Sequence, residues 1–522
     1  MILTTELKAE KHILDTKTKV LRLMLWLGLF VGATMLLAFP LDKPVWDDEL
    51  DTIMQGSKSY WTIFMGASDT QPPLHFLVIR LCQTFGGDNL AVYRLISSIP
   101  PVVSLWYVYQ LGKRLSFPVA VVAVWLTALS PALILFDRMA RYHGLLAMLS
   151  TLSMYYWLAA LEQGRRRNLI AYGVSTFFML TTYYLSIFVL VAQIAMILPE
   201  WRRYLSLKPV LIAMALSVAA FLPWLIHGLL LAHHDINTFH VEDPRMSLGI
   251  QGFIRRIGLP LYSFCLGETV YPWRWPVSVT GCVSVFAAFW LGAKSFRHRP
   301  EMGLVLVVLT VVVLSALLTS GAIGSSQTVG SMSKRVSFVL PLFYVIVSAG
   351  VLSLRNKWLR AVSVCLILGT AIYAVSNYWT NRQFLNPNYI APWEEAISQM
   401  KGKHWGYDTM VITCADPALH YYIAKESIPM MEANVASPRD VSLALNFYQP
   451  QYVWLVGRDR GDQSAVASTA ILNRYFQAHA IPEGHFDLMP RGPEEQYWFA
   501  HVLHRHAAPN YLWGDLFNIR KK

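Results

Sequence analysis

Charged side chains are scarce in this sequence. They make up 15% of its 522 residues, whereas hydrophobic residues make up 55%. So few charges over a chain of this length exclude an ordinary soluble protein. The composition therefore predicts a protein that crosses a membrane several times.

Cysteine is also sparse, and its spacing excludes two kinds of site. None of the five cysteines forms a CxxC pair or another metal-ligand spacing, so the sequence indicates neither a zinc site nor a disulfide framework. The basic residues give a net charge of +12, but they fall in short clusters between apolar runs. That distribution is typical of membrane orientation, and we expect no nucleic acid as a partner.

Apolar segments long enough to cross a bilayer, at roughly 20 residues each, predict about eleven transmembrane helices. The first is not followed by a cleavage site of the Ala-x-Ala type, so we expect it to be retained. Residues 1–380 form the predicted membrane domain, and residues 381–522 a soluble α/β domain with no further spans. The predicted spans lie near residues 23–40, 90–111, 118–136, 143–161, 169–182, 184–199, 207–231, 276–294, 302–320, 334–352 and 358–379.

Five basic clusters fall on the side of the membrane that carries the N-terminus, for example Lys113-Arg114 and Arg165-Arg166-Arg167. Because cytoplasmic loops are enriched in lysine and arginine, the N-terminus is expected in the cytoplasm. The first loop, residues 41–88, and the C-terminal domain are then extracytoplasmic. A long loop over residues 232–275 is expected on the same side, where we interpret it as a gate for a substrate.

The first loop opens with the acidic motif Trp46-Asp47-Asp48-Glu49. Carboxylates that are clustered beside a bilayer can have raised pKa values, which suits a general base; an ordinary solvated loop is the alternative. Residues 51–65 have the pattern of an amphipathic surface helix. The prolines before Leu74 permit a second helix to begin, which is expected to bring Asp69 and His75 near the same interface.

Several basic residues are expected on the extracytoplasmic side, against the orienting bias. An anionic lipid phosphate is their expected partner, and snorkelling to lipid headgroups is the alternative. Pro223-Trp224 lies inside a long span, where proline is expected to kink the helix and open space. The outer basic residues are Arg94, Arg138, Arg141, Lys334 and Arg335.

The C-terminal domain has the alternation of an α/β layer. Residues 409–413, 452–457 and 497–504 are predicted strands, and residues 393–400 and 470–476 are predicted helices. The domain has no phosphate loop, GxGxxG motif or nucleophile elbow.

The order of these motifs resembles the membrane-embedded C-type glycosyltransferases. More narrowly, the chain is similar to the bacterial relatives of protein O-mannosyltransferases and to the aminoarabinose transferase that acts on lipid A. The resemblance covers most of the chain to about residue 350. The residues that carry it are Asp48-Glu49, Gln71-Pro72-Pro73-Leu74-His75, Tyr93-Arg94-Leu95, Ser130-Pro131, Ala140-Arg141-Tyr142, Leu222-Pro223-Trp224, Lys334-Arg335 and Leu340-Pro341.

The resemblance implies a C-type glycosyltransferase fold in the bacterial inner membrane, with interfacial helices in the first outer loop and a cavity that faces the periplasm. It implies transfer of a sugar from a polyprenyl-phosphate-linked donor to a lipid, glycan or protein acceptor. Asp48 is then the first choice for the base, Asp47 is its competitor, and Glu49 orients the acceptor or a cation. The implied donor-phosphate ligands are Arg138, Arg141, Lys334 and Arg335, and the implied cavity residues are Asp69, His75, Arg94, Tyr183, Tyr184 and Trp224.

Two positions depart from the family pattern. Met139 stands where many relatives have an acid, and Tyr183-Tyr184 replaces a histidine. Both changes remove a potential metal ligand, so the resemblance leaves a divalent cation open as a cofactor and does not identify the sugar. An oligosaccharide transferase or glycan ligase is one alternative. A membrane lipid transporter is another, but the spans contain few charges and no inverted repeat.

Overall fold

The computed structural model describes residues 2–37, 43–66, 71–198, 207–238, 250–321, 332–413, 417–424, 428–432, 438–459, 463–488 and 511–519. The chain divides into two compact units. The membrane unit comprises residues 1–41 and 55–380, and the C-terminal unit comprises residues 42–54 and 381–522. No sequence pattern indicates that the acidic motif at residues 46–49 groups with the C-terminal unit.

Helices account for almost all of the regular structure up to residue 380, because in a bilayer the backbone N–H and C=O groups need partners within the chain. Short 3-10 turns occur at Tyr184–Ser186 and Ser337–Val339. The α-helices are α1 (Ile2–Leu37), α2 (Asp47–Gly56), α3 (Tyr60–Phe64), α4 (Leu74–Gly86), α5 (Leu90–Leu115), α6 (Phe117–Ala128), α7 (Pro131–Asp137), α8 (His143–Gln163), α9 (Arg166–Leu180), α10 (Ile187–Ile197), α11 (Leu207–Thr238), α12 (Ile250–Leu266), α13 (Trp275–Ser295), α14 (Met302–Gly321), α15 (Met332–Val336), α16 (Leu340–Ser353) and α17 (Lys357–Trp379).

Within the described residues, eight helical spans are long and apolar enough to cross a membrane, and the bent pair of α6 and α7 brings the number to nine. This is fewer than the eleven expected from the sequence. The difference arises at residues 169–182 and 184–199, where α9 has 15 residues and α10 has 11. As described, both helices are shorter than the roughly 20 residues of a full span, and residues 199–206 after α10 lie outside the described residues.

The bend between α6 and α7 has an angle of 55°. Pro131 has no N–H to donate, and its ring clashes with the preceding turn, so the helix is interrupted there. Ser130 caps the restarted helix, because its Oγ accepts a hydrogen bond from the backbone N–H of Leu133 at 3.3 Å. The Tyr344 hydroxyl donates to the same oxygen at 3.0 Å. The bend is therefore tied to α16, and it leads into the turn that contains Arg138 and Arg141.

The two connecting regions differ from their predictions. The amphipathic pattern at residues 51–65 forms two helices, α2 and α3, because Ser59 caps α3 by accepting the N–H of Thr62 at 3.1 Å. The region predicted as a loop over residues 232–275 contains the helix α12. Helix α11 also extends into this region, to Thr238.

Helices α13 and α16 approach each other closely enough to need glycine. A Cβ atom added to Gly350 would lie 1.7 Å from the carbonyl oxygen of Ala288, and one added to Gly292 would lie 2.0 Å from that of Ile346. Small residues at a crossing let two membrane helices pack backbone against backbone. This contact fixes the helix that follows Lys334 and Arg335.

The C-terminal unit is built around a five-stranded sheet with the strand order β2-β1-β3-β5-β4. Strand β1 is parallel to β2 and β3, whereas β5 is antiparallel to β3 and β4. The apolar side chains of Met410, Leu455 and Phe476 are buried in its core. Its elements are α18 (Trp393–Lys403), β1 (Thr409–Thr413), α19 (Pro417–Ala424), β2 (Met430–Glu432), α20 (Pro438–Tyr448), β3 (Tyr452–Asp459), α21 (Gln463–His479), β4 (Ile481–Leu488) and β5 (Tyr511–Asn518).

The predicted strands at residues 409–413 and 452–457 coincide with β1 and β3. The predicted strand at residues 497–504 lies outside the described residues.

Candidate functional site

The three adjacent acids of the first loop occupy the first turn of α2, and each has a different environment. Glu49 is buried, with 1% of its surface exposed. Its Oε2 accepts a hydrogen bond from the backbone N–H of Trp46 at 3.2 Å, and the Trp46 carbonyl accepts the N–H of Glu49 at 2.9 Å. This reciprocal pair satisfies backbone groups at the helix start, as in a capping box.

Asp47 forms an ion pair with Arg458 at the end of β3. Arg458 Nη2 lies 2.5 Å from Asp47 Oδ2, and the exposed fraction of the side chain is 1% for Arg458 and 20% for Asp47. An arginine cannot lose its proton at any physiological pH, so a buried guanidinium needs polar or anionic groups that compensate its charge. The carboxylate of Asp47 meets that need.

Asp48 is partly exposed. Its backbone carbonyl accepts a hydrogen bond from Thr52 Oγ1 at 2.9 Å, one helical turn further along α2. The structure thus separates the three acids by their partners: Glu49 caps the helix and Asp47 binds Arg458. The assignment of the base to Asp48 stays a prediction.

A cluster of cationic and aromatic side chains surrounds the turn between α7 and α8 in the membrane unit. The Arg141 guanidinium lies 5.4 Å from the centre of the Tyr142 ring. That ring stacks on Tyr183, with the ring centres 4.8 Å apart and an angle of 21° between the planes. Arg335 is close enough to act electrostatically on Tyr142. The turn thus places two predicted phosphate ligands around one tyrosine; Arg141, Tyr142, Tyr183 and Arg335 are called the arginine–tyrosine cluster below.

His75 lies near this cluster, in the first turn of α4. The N–H of Leu74 donates to the carbonyl of Thr181 at 3.0 Å, which fixes the start of α4 beside the turn that carries Tyr183. Burial lowers the pKa of His75 to about 3, the nearby charge of Arg141 acts in the same direction, and a hydrogen bond to the backbone of Ala140 opposes them. His75 is therefore neutral at neutral pH and adds no third positive charge.

Arg138 has a different environment from Arg141, although both were predicted to bind the donor phosphate. Its Nη1 donates to the carbonyl oxygens of Met35 at 2.6 Å and Leu36 at 3.2 Å, at the C-terminal end of α1. Its guanidinium also lies 4.7 Å from the centre of the Trp379 ring. A cation at a helix C-terminus pairs with carbonyls that have no partner inside the helix. These contacts tie α1 to the turn and to α17.

The other predicted site residues make contacts elsewhere in the membrane unit or are described only by their burial. Tyr184 donates its hydroxyl to the carbonyl of Trp224 at 3.1 Å, and Trp224 Nε1 donates to the carbonyl of Phe64 at 2.7 Å. Arg94 is buried in α5, and Lys334 is partly exposed beside Arg335. Asp69 lies outside the described residues.

Two residues of these arrangements were not predicted as site residues. Tyr142 directly follows Arg141, and an aromatic residue next to a cation in a short turn was the signal available for it. Arg458 directly follows the apolar run at residues 452–457. A charged residue at the carboxyl end of a buried strand marks the edge of an α/β sheet where ligands and partners bind.

A metal site was left open by the sequence. In the part of the chain that the structure describes, no three His, Cys, Asp or Glu side chains come together as metal ligands. Among the described residues, the acids of α2 and the arginine–tyrosine cluster therefore form no such group of metal ligands.

The fold and part of the sequence match known glycosyltransferases. Residues 70–227 match the family model for dolichyl-phosphate-mannose-protein mannosyltransferases. ArnT from Cupriavidus metallidurans is similar in structure in its apo state, with a TM-score of 0.52, 14% identity, and coverage of 85% of this chain and 94% of that one. The same protein bound to undecaprenyl phosphate has a TM-score of 0.51, 13% identity, and coverage of 95% and 98%. None of the curated proteins compared matches the sequence.

The chain has the C-type glycosyltransferase fold. The resemblance inferred from its motifs is thereby confirmed, and so is its multi-pass membrane character. The matched residues 70–227 include His75, the turn with Arg138 and Arg141, and the tyrosine pair that starts at Tyr183. The arginine–tyrosine cluster of this C-type glycosyltransferase fold thus falls mostly within the matched region.

We predict that His75 makes stability depend on pH. Its pKa is lowered from 6.5 in the unfolded chain to about 3, so the unfolded state takes up the proton first as the pH falls. Stability is then constant above pH 6.5 and decreases below it, by about 2 kcal/mol between pH 6.5 and pH 5. Thermal unfolding of the purified protein across this range should show that decrease, and His75→Asn should flatten it. The exposed His298→Asn is the matched control, and an equally steep profile in His75→Asn would contradict the assignment.

Proposed function

We propose that the protein transfers a sugar from a polyprenyl-phosphate-linked donor to a hydroxyl group of a lipid, glycan or protein acceptor. The observation that carries the proposal is the position of Arg141 over the Tyr142 ring, with Arg335 near enough to act electrostatically on the same tyrosine. Two guanidinium groups are a suitable site for the phosphate of a lipid-linked sugar, because arginine binds phosphate oxygens through two parallel N–H donors. The likeness to ArnT bound to undecaprenyl phosphate supports the same donor class.

The cations would act on the leaving group. When the bond between the anomeric carbon and the phosphate oxygen breaks, the phosphate keeps the electron pair and gains negative charge. Arginines that are already in place stabilise that charge more in the transition state than in the ground state. Arg141 and Arg335 take this role in the proposal, and Lys334 adds a positive charge beside them. His75, being neutral, adds no repulsion toward Arg141.

Asp48 is the proposed general base. The acceptor oxygen forms a bond to the anomeric carbon while its proton passes to the Asp48 carboxylate. The place of Asp48 in the first turn of α2 and its partial exposure support this choice. We propose a location in the bacterial inner membrane with the N-terminus in the cytoplasm, because the basic loops share the side of the N-terminus.

We predict that Asp48→Asn lowers kcat by about 10³-fold or more, since general base catalysis contributes about 10²–10⁴-fold and Asn cannot accept the proton. The donor source is a lipid extract from cells that lack the protein, and membranes of those cells supply the acceptor. Asp51→Asn, one turn further along α2, is the matched control and should keep most of the activity. Full transfer by Asp48→Asn would show that another group is the base.

A second prediction concerns the donor phosphate. Arg335→Ala should weaken the binding of undecaprenyl phosphate about tenfold, because it removes one charged contact worth roughly 1.4 kcal/mol. Arg355→Ala is a matched control, since Arg355 is exposed beyond the other end of α16. Binding can be measured by titration of the detergent-purified protein with undecaprenyl phosphate. Equal affinities for Arg335→Ala and the control would remove Arg335 from the phosphate site.

A further inference from the structure

Arg458 belongs to the C-terminal sheet, yet its carboxylate partner Asp47 lies 411 residues earlier in the chain. We propose that Arg458 is a positioning residue that fixes the first turn of α2, and with it Asp48, through this ion pair. The inference rests on the proposed role of Asp48 as the base. It assigns the C-terminal sheet a part in catalysis although the sheet supplies no reacting group.

The position of Arg458 is fixed by the sheet itself. It lies on β3, which is hydrogen-bonded to β1 on one side and to β5 on the other, and it is paired in register with Leu512. Its guanidinium lies 6.0 Å from the centre of the buried Trp393 ring. The exposed fraction of its side chain is 1%. A rigid planar group that is packed this deeply is held in one orientation.

The segment before α2 is held to the same unit by three other contacts. Lys43 Nζ donates to Asn381 Oδ1 at 2.5 Å, and the N–H of Val45 donates to the Tyr422 hydroxyl at 3.4 Å. The Trp46 ring packs edge-on against Tyr389 with centres 5.0 Å apart. These contacts end at Trp46, and the Asp47–Arg458 pair extends the attachment to the first residue of the helix.

Helix geometry explains how one aspartate can anchor the turn while the next one reacts. Consecutive side chains on an α-helix point in directions about 100° apart. When Asp47 is directed at Arg458, the side chain of Asp48 leaves the helix in a different direction. The doubled aspartate is therefore a pair with two tasks, in which Asp47 sets the rotation of the helix and Asp48 accepts the proton.

The experiment compares Arg458→Met, Arg458→Lys, Asp47→Asn and the double variant in the full-length protein. Arg458→Met removes the charge and keeps a flexible, unbranched side chain. Arg474→Met makes the same change at an exposed position on α21 and is the matched control. Hydrogen exchange of the α2 amides reports on the anchoring, and kcat and KM with the lipid-extract donor report on catalysis.

We expect Arg458→Met to speed exchange in α2 and to lower kcat about 10- to 100-fold, since displacement of a reacting group by about 1 Å can cost 10²-fold. The KM for the donor should change less than twofold. Arg458→Lys should recover part of kcat, and the double variant should be no worse than either single variant, because both remove one interaction.

Unchanged exchange and kcat in Arg458→Met would overturn the inference, as would losses that multiply in the double variant. The exchange measurement needs no turnover, so it distinguishes the two proposals. Full activity of Asp48→Asn together with faster α2 exchange in Arg458→Met would show that Asp48 is not the base, while Arg458 still fixes α2. Loss of activity in Asp48→Asn, with unchanged exchange and kcat in Arg458→Met, would support Asp48 as the base and show that Arg458 does not fix α2.

Discussion

Arginine cannot give up its charge, and this constraint organises both units of the structure. A guanidinium that is buried in protein or beside a bilayer must lie against carbonyls, carboxylates or aromatic faces. Arg138 meets the carbonyls at the end of α1 and the ring of Trp379. Arg458 meets Asp47. Arg141 lies over Tyr142, with its neighbour His75 held neutral. The tasks of the surrounding acids and aromatics follow from these requirements.

The same constraint separates structural from chemical roles. Among the motif's acids, Glu49 and Asp47 have partners that the fold needs, a helix cap and an ion pair. Among the arginines of one turn, Arg138 ties helices together, whereas Arg141 belongs to the arginine–tyrosine cluster with Arg335. In the proposed reaction, Asp48 and Arg141 therefore each follow a residue of the same type that has a structural contact. Such a neighbour can help to fix the position of a reacting group.

Periodicity and composition were sufficient to predict the fold class, because long apolar segments and buried strands are local patterns. They predicted the membrane helices and the strands β1 and β3. The apolar segments at residues 169–182 and 184–199 form helices α9 and α10, which have 15 and 11 residues. Hydropathy alone does not show where a helix ends. The convergence of His75, Arg141 and Tyr183 could be expected from the resemblance. The Asp47–Arg458 pair could not, since it joins residues 411 positions apart, and no local pattern records which distant carboxylate a buried arginine will meet.

The proposed reaction requires that the protein uses a polyprenyl-phosphate sugar and that Asp48 is needed to do so. Both requirements can be tested by mass spectrometry of lipid-linked sugars, in cells that lack the protein and in the same cells with the native chain or with Asp48→Asn restored. We expect one polyprenyl-monophosphate sugar to accumulate without the protein, to disappear with the native chain and to persist with Asp48→Asn. Identical lipid-linked sugars in all three strains would contradict the proposed reaction.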